Sequence, residues 1–404
     1  MLDNIAPPEE SVETKEFFYS QKAAIPRFSS PVHVGCPNVM NREKFFARVN
    51  DIFDRKWLTN NGIYVQELEQ KIANYLKVEH CVLVANATVA LDILGRAIGL
   101  SGEVIVPAFT FVATTHSLLW QNLKPVFCDI DPTTHNLDPE EVQKLITPET
   151  SAILGVHIWG RPCAVQELEQ IAKTNNLKLI YDAAHAFGCS AGDTMIGNFG
   201  IAEVFSFHAT KLFNTFEGGA ITTNNAELAE KLRLMRNFGF QELDQVVSLG
   251  TNAKLSEVAA AMGLTNLESI DFIIERNREN YLNYQSQLSK IPGISVIEYD
   301  PANQNNFQYV IIEVDSAVSG FSREELVHFL HSHNVLVRRY FYPGCHNMEP
   351  YRSSDFRRGV LDHTEKLNQQ VVSFPTGTSI TSEHICAIAG LIAELHQDRT
   401  RVIL

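Results

Sequence analysis

The sequence predicts an α/β protein: a large domain on a mostly parallel sheet, followed by a smaller α+β domain. Three observations carry that expectation. From Cys81 to Thr222 short apolar runs alternate with segments of helical period, as parallel βαβ units require. Asp182 closes one of those apolar runs, at the strand end where open α/β sheets hold ligands. Beyond Pro292 the alternation gives way to strand-like stretches flanking one helix. A chain of 404 residues is long enough for both parts.

Taken in order, residues 1–45 read as an irregular N-terminal arm, because Pro7, Pro8, Pro26, Pro31 and Pro37 break any helix there. Order in this arm would come from a partner subunit. The large domain is expected over 46–268. It opens on helices at Glu43 to Leu58 and Tyr64 to Leu76, the second with Val65, Leu68, Ile72, Tyr75 and Leu76 on one side. Strands are expected at 81–84, 104–106, 125–129, 152–158, 177–181, 204–207 and 220–222. Helices fall between them at 90–100, 114–121, 138–146 and 165–175. The stretch Asp138-Pro139-Glu140-Glu141 carries cap and first-turn signals. Helices 227–237 and 255–267 complete the domain. A linking helix, 271–288, opens the small domain, 269–404, with strands at 307–314 and 335–342 and helices at 322–333 and 382–395.

Bulk properties exclude some functions. The net charge of -14 argues against non-specific nucleic-acid or anionic-membrane binding, which needs a basic surface. The cysteines number seven, an odd count without a Cys-x-x-Cys spacing, which suits a reducing, cytoplasmic setting. Neither a signal peptide nor a membrane-spanning helix is expected, and no residue cluster points to a metal.

The chemistry centres on Val204 to Gly219. An apolar run is followed by Lys211, an aromatic-rich segment and Gly218-Gly219. An ammonium avoids apolar surroundings; desolvated, it loses pKa and becomes the nucleophilic amine that Schiff-base chemistry needs. Alone, Lys211 reads rather as a surface lysine past a strand. Asp182 adds a carboxylate able to keep a pyridine nitrogen protonated, although a strand-end aspartate also serves as a helix cap. Between Val84 and Ala90 a strand passes into a helix through small and capping residues, and the helix start would offer N–H groups to an anion.

The motifs occur in a telling order: Asn86-Ala87-Thr88-Val89-Ala90-Leu91, Pro107-Ala108-Phe109-Thr110-Phe111-Val112-Ala113-Thr114, Asp129-Ile130-Asp131, Val156-His157-Ile158-Trp159-Gly160-Arg161-Pro162, Asp182-Ala183-Ala184-His185, Ser206-Phe207 through Lys211, and Glu217-Gly218-Gly219. This set resembles the DegT/DnrJ/EryC1/StrS sugar-nucleotide aminotransferases, which are fold-type-I pyridoxal phosphate enzymes of the aspartate aminotransferase-like fold. The resemblance is strongest over residues 57–265. It implies that Lys211 bonds the cofactor and moves the proton, and that Asp182 pairs with the ring nitrogen. Phe111 would stack on the ring and His185 would lie beside its phenolic oxygen. Ala87, Thr88 and Ser206 would bind the phosphate. Asn252 would reach the phosphate of a neighbouring subunit, which implies a homodimer with shared active sites. Arg339 and His346 fall in a segment that resembles one near the substrate. Departures are Lys254 and Leu255, where relatives carry Arg and Met, and the loosely matching Ser373 to Thr378.

The implied substrate is a nucleotide-linked keto sugar, with glutamate as amino donor. Lysine at position 211, rather than histidine, argues against the dehydratase branch of this scaffold. The flanks, Phe207-His208-Ala209-Thr210 and Glu217-Gly218-Gly219, look more like members acting at a 4-keto carbon. Alternatives are a 3-keto sugar or cyclitol aminotransferase, or a non-catalytic regulatory relative. A Rossmann dehydrogenase is disfavoured, since the phosphate turn lacks Gly-x-Gly-x-x-Gly.

Overall fold

A computed structural model describes residues 25–403. The strands are β1 (Val32–His33), β2 (His80–Val84), β3 (Glu103–Pro107), β4 (Lys124–Cys128), β5 (Thr150–Val156), β6 (Lys178–Asp182), β7 (Ser190–Ala191), β8 (Thr194–Met195), β9 (Glu203–Ser206), β10 (Gly219–Thr223), β11 (Ile294–Val296), β12 (Val310–Val314), β13 (Val335–Leu336) and β14 (Val371–Phe374). The helices are α1 (Arg42–Arg55), α2 (Ile63–Leu76), α3 (Ala87–Ala97), α4 (Val112–Trp120), α5 (Pro139–Leu145), α6 (Val165–Thr174), α7 (Ala226–Met235), α8 (Glu257–Leu267), α9 (Ile270–Leu288), α10 (Ser316–Ser319), α11 (Arg323–Ser332), α12 (Asp362–Gln370) and α13 (Ser382–Ile403).

Seven strands form the central sheet in the order β2-β10-β9-β6-β5-β3-β4. Strands β9, β6, β5, β3 and β4 run parallel, and β10 runs antiparallel to both β2 and β9. Such strands are covered on both faces, which is why Val104-Ile105-Val106 reads as a continuous apolar run rather than an alternating one. On one face Leu91, Leu94, Leu118 and Leu232 pack against Val82, Val104 and Val204. On the other, Leu68, Ile72, Ala260 and Leu264 meet Leu83, Phe205 and Ala220. The predicted cap at Asp138 is present, its side chain accepting from Glu140 N–H at 2.8 Å.

Past α9, strands β11, β12 and β14 form an antiparallel sheet. Tyr284, Leu326, Leu330, Ile388 and Ile392 cover it over Val310, Ile312 and Val372. Four sequence expectations are corrected in this half. The strand expected at 307–314 begins only at Val310, because the side chains of Asn305 and Asn306 take the N–H groups of Phe307 (2.7 Å) and Gln308 (2.9 Å). The strand expected at 335–342 ends at Leu336, where Val337 N–H turns back onto Val335 O at 3.0 Å. The last helix runs on to Ile403, and α12 and β14 lie where no element was expected.

The arm is not wholly irregular. Strand β1 pairs in parallel with β13, Val32 opposite Val335, and Val32 joins the core of Val310 and Leu326. Most of the expected arm, residues 1–24, lies outside the described residues. Among the described residues no helix is long and apolar enough to cross a membrane.

Candidate active site

The carboxyl ends of β2, β6 and β9 meet the start of β10 at one edge of the sheet. Gly219 stands opposite both Val84 and Ser206, and Asp182 lies in register with Val204. Beyond Ser206 the chain closes a loop, with Phe207 N–H on Gly218 O (2.8 Å) and Thr215 N–H on Phe207 O (2.9 Å). An aromatic residue after the lysine anchors the loop: Phe213 stacks on Phe187 at 4.6 Å and meets Phe207 edge-on at 4.7 Å. Lys211 sits in this loop, its N–H on His208 O at 2.9 Å.

The Lys211 side chain turns inward and Nζ donates to the Tyr309 hydroxyl at 3.2 Å. Burial pulls the amine down to about 8, against the opposing pull of Asp182 and Tyr340. Asp182 is itself buried. Its Oδ2 accepts from Thr114 Oγ1 at 2.8 Å and its Oδ1 from Ala184 N–H at 3.0 Å. Burial raises this carboxyl, and those two neutral donors, with the charges of Lys211 and His157, only partly offset it.

His185 packs against two rings, Trp159 at 5.8 Å and Phe341 at 5.9 Å, which also stack on each other at 5.4 Å, with Tyr309 at 4.4 Å. Burial, reinforced by Lys211, holds the imidazole well below its usual pKa, so it is neutral. Trp159 N–H donates to its Nδ1 at 3.3 Å, which assigns the remaining proton to Nε2.

The turn from β2 into α3 is capped by Asn86, whose side chain accepts from Val89 N–H at 2.9 Å. Ala87 and Thr88 are the first two helical residues, whose N–H groups an α-helix leaves without an internal partner. A Cβ on Gly219 would stand 2.8 Å from Ala87 N, so only glycine lets β10 lie this close to the turn. Ser206, opposite Gly219, completes this corner.

Phe111 caps α4 with 56% of its surface exposed, its ring 6.4 Å from Phe341. Asn252 is exposed; its Oδ1 accepts from Lys254 Nζ at 2.7 Å, while Lys254 also lies over the Phe238 ring. The next residue, Ala253, accepts from Ala85 N–H at 2.8 Å and so ties this segment to the helix start.

The two residues expected near the substrate are engaged by carboxylates of this chain. The Arg339 guanidinium pairs with Glu324 at 2.9 Å and covers Tyr342. His346 is wholly buried, bonded through Nε2 to Glu365 at 2.8 Å, which leaves its ring no open face for a substrate. Sequence reasoning assigned no role to Tyr309 or Thr114. A cleft of about 910 Å³ opens elsewhere, lined by Asp131, Asp138, Arg161, Glu167 and Glu298 among others. Its carboxylates make it a poor seat for an anion.

A half-buried lysine whose amine is desolvated near a buried aspartate, at the carboxyl edge of a mostly parallel sheet and next to a helix start, defines the fold-type-I aminotransferase class. Residues 39–393 match the DegT/DnrJ/EryC1/StrS aminotransferase family, and the chain belongs to it. It is 40% identical over 365 residues to a dTDP-4-amino-4,6-dideoxy-D-glucose transaminase of Shigella dysenteriae, covering 90% of this chain and 99% of that one. It is 30% identical over 351 residues to a dTDP-3-amino-3,6-dideoxy-alpha-D-galactopyranose transaminase of Aneurinibacillus thermoaerophilus, covering 86% and 94%. Its fold superimposes on the crystal structure of DesI in the presence of its TDP-sugar product with a TM-score of 0.89, at 45% identity and 97% coverage of each chain.

Proposed function

We propose that this chain is a pyridoxal phosphate-dependent aminotransferase that converts a 4-keto-6-deoxy sugar on a nucleoside diphosphate to the 4-amino sugar, with glutamate as donor. The observation that carries this reading is the buried Lys211 amine sharing its site with a carboxylate whose two hydrogen-bond donors are neutral. The residues fit the cofactor. A protonated ring nitrogen would give Asp182 the cationic partner that its burial calls for. The N–H groups of Ala87 and Thr88, with the Ser206 hydroxyl, would take the phosphate. His185 offers Nε2–H, and Phe111 an exposed ring face.

When bound, the cofactor supplies an electron sink for negative charge at the carbon being aminated. Lys211 Nζ, with a pKa close to neutrality, takes a proton from one carbon and returns it to another. Asp182 keeps its charge aimed at one point because Thr114 and Ala184 fix both oxygens. The flanks of Lys211 and the greater identity to the Shigella relative favour the 4-position over the 3-position and over a cyclitol. Retention of both Lys211 and Asp182 argues against a regulatory protein without catalysis.

A homodimer with shared sites is part of this reading. Phe53, Trp57, Leu58, Ile63 and Val258 are exposed along α1, the turn after it and the starts of α2 and α8. Near the far end of α1, Phe216 of the lysine loop packs on Phe45 while keeping 43% of its surface exposed. A second copy would cover this apolar surface and bring its Asn252 toward the phosphate corner. Seven free thiols, five of them buried, support a cytoplasmic setting.

The test is to load the full chain with pyridoxal phosphate and offer glutamate with 4-keto and 3-keto nucleotide sugars. The amino sugar is expected from the 4-keto substrates. Lys211→Ala should abolish turnover while still holding the cofactor non-covalently. Product from 3-keto substrates alone, or a Lys211→Ala variant working at full rate, overturns the reading.

A further inference from the structure

Resting on that reading, we propose that Tyr309 positions the free amine of Lys211, its hydroxyl holding Nζ in place in both of the amine's protonation states. A base that moves a proton between carbons alternates between amine and ammonium, and it must keep its aim in both. Four titratable groups face Nζ: Asp182, His185, Tyr340 and Tyr309. Asp182 is engaged by Thr114 and Ala184, and His185 by Trp159. The hydrogen bond that Nζ makes is to Tyr309, at 3.2 Å.

A phenol suits the task because it accepts from an ammonium and donates to an amine. Burial drives the Tyr309 hydroxyl well above its usual pKa, so it stays protonated and does not compete as an anion. The side chain is also fixed. Its ring packs 4.4 Å from His185 and 5.3 Å from Trp159, and its backbone carbonyl accepts from Tyr299 Oη at 2.8 Å. The preceding residue grips the same loop, Gln308 Oε1 accepting from Leu212 N–H at 2.7 Å. Residues 308 and 309 thus hold 212 and 211, and the Asn305 and Asn306 side chains lock the backbone that presents them.

The experiment uses Tyr309→Phe, which removes one oxygen and keeps the ring. In the full-length chain without cofactor, Lys211 is labelled competitively with acetic anhydride across pH and followed by mass spectrometry. The wild-type inflection is expected near 8. In Tyr309→Phe it should fall by about half to one pH unit, because a hydrogen bond stabilises the ammonium more than the amine. In the loaded enzyme kcat should drop about 10- to 100-fold with KM nearly unchanged. Tyr299→Phe, which loosens Tyr309 without removing its hydroxyl, should leave the inflection in place. An unmoved inflection in Tyr309→Phe, an unchanged kcat, or an equal shift in Tyr299→Phe overturns the proposal. Failure of the wild-type chain to take up pyridoxal phosphate would refute the functional reading instead, and leaves the labelling result standing on its own.

Discussion

At the scale of the residue, the proton on Lys211 works against the fold that encloses it. Burial lowers the amine from an ordinary 10.5 to about 8, a difference on the order of 3 kcal/mol. Below pH 8 the folded and unfolded chains both carry the proton, so the destabilisation is fully present. As pH rises from 8 toward 10.5 only the unfolded chain keeps the proton, and the folded state regains that stability. Lys211→Met in the cofactor-free chain is therefore expected to be more stable at pH 7 by about 3 kcal/mol. The gain should shrink between pH 8 and 10.5. Denaturant unfolding of both proteins at one chain concentration and several pH values checks this. Lys211 and Asp182 were legible in the sequence because each sets a charge in apolar surroundings. Tyr309 was not, since a tyrosine in a strand-like run is ordinary and its partner is 98 residues away.

At the scale of the element, the proposed phosphate corner depends on a close approach between β10 and the start of α3. Gly219→Ala would put a methyl group 2.8 Å from both Ala87 N and the Asn86 carbonyl carbon, and neither is a flexible side chain. The expected outcome is a loss of about 1–3 kcal/mol in stability together with weaker pyridoxal phosphate binding. Thermal melting and a cofactor titration measure the two. The strands and helices of the central sheet were legible because each apolar run is bounded by turn or cap residues, as at Asn86 and Asp138. The C-terminal strands were less so. Hydrophobic pattern alone continues through Phe307 and past Leu336, whereas asparagine side chains and a tight turn set the real limits.

At the scale of the whole molecule, the proposed homodimer can be tested on the exposed apolar surface around α1. Exchanging Phe53 and Trp57 for aspartate would put two charges where the proposed partner packs. The double variant is expected to sediment as a monomer with an intact far-ultraviolet spectrum and to lose most of its transaminase activity. A dimer that survives the exchange would argue for a different interface. The order of elements, and with it the family, was legible from motif order. Docking of the first described residues was not, because strand β1 is two residues long and its partner lies in the other half of the sequence.

That last pairing bears on how the protein is made. Val32 meets Val335, about 300 residues downstream, so a ribosome must add that whole stretch before strand β1 finds its neighbour. Until then Val32 and the residues around it have no core to enter. A chain stalled before residue 335 would leave Val32 unpaired and on display to chaperones and proteases.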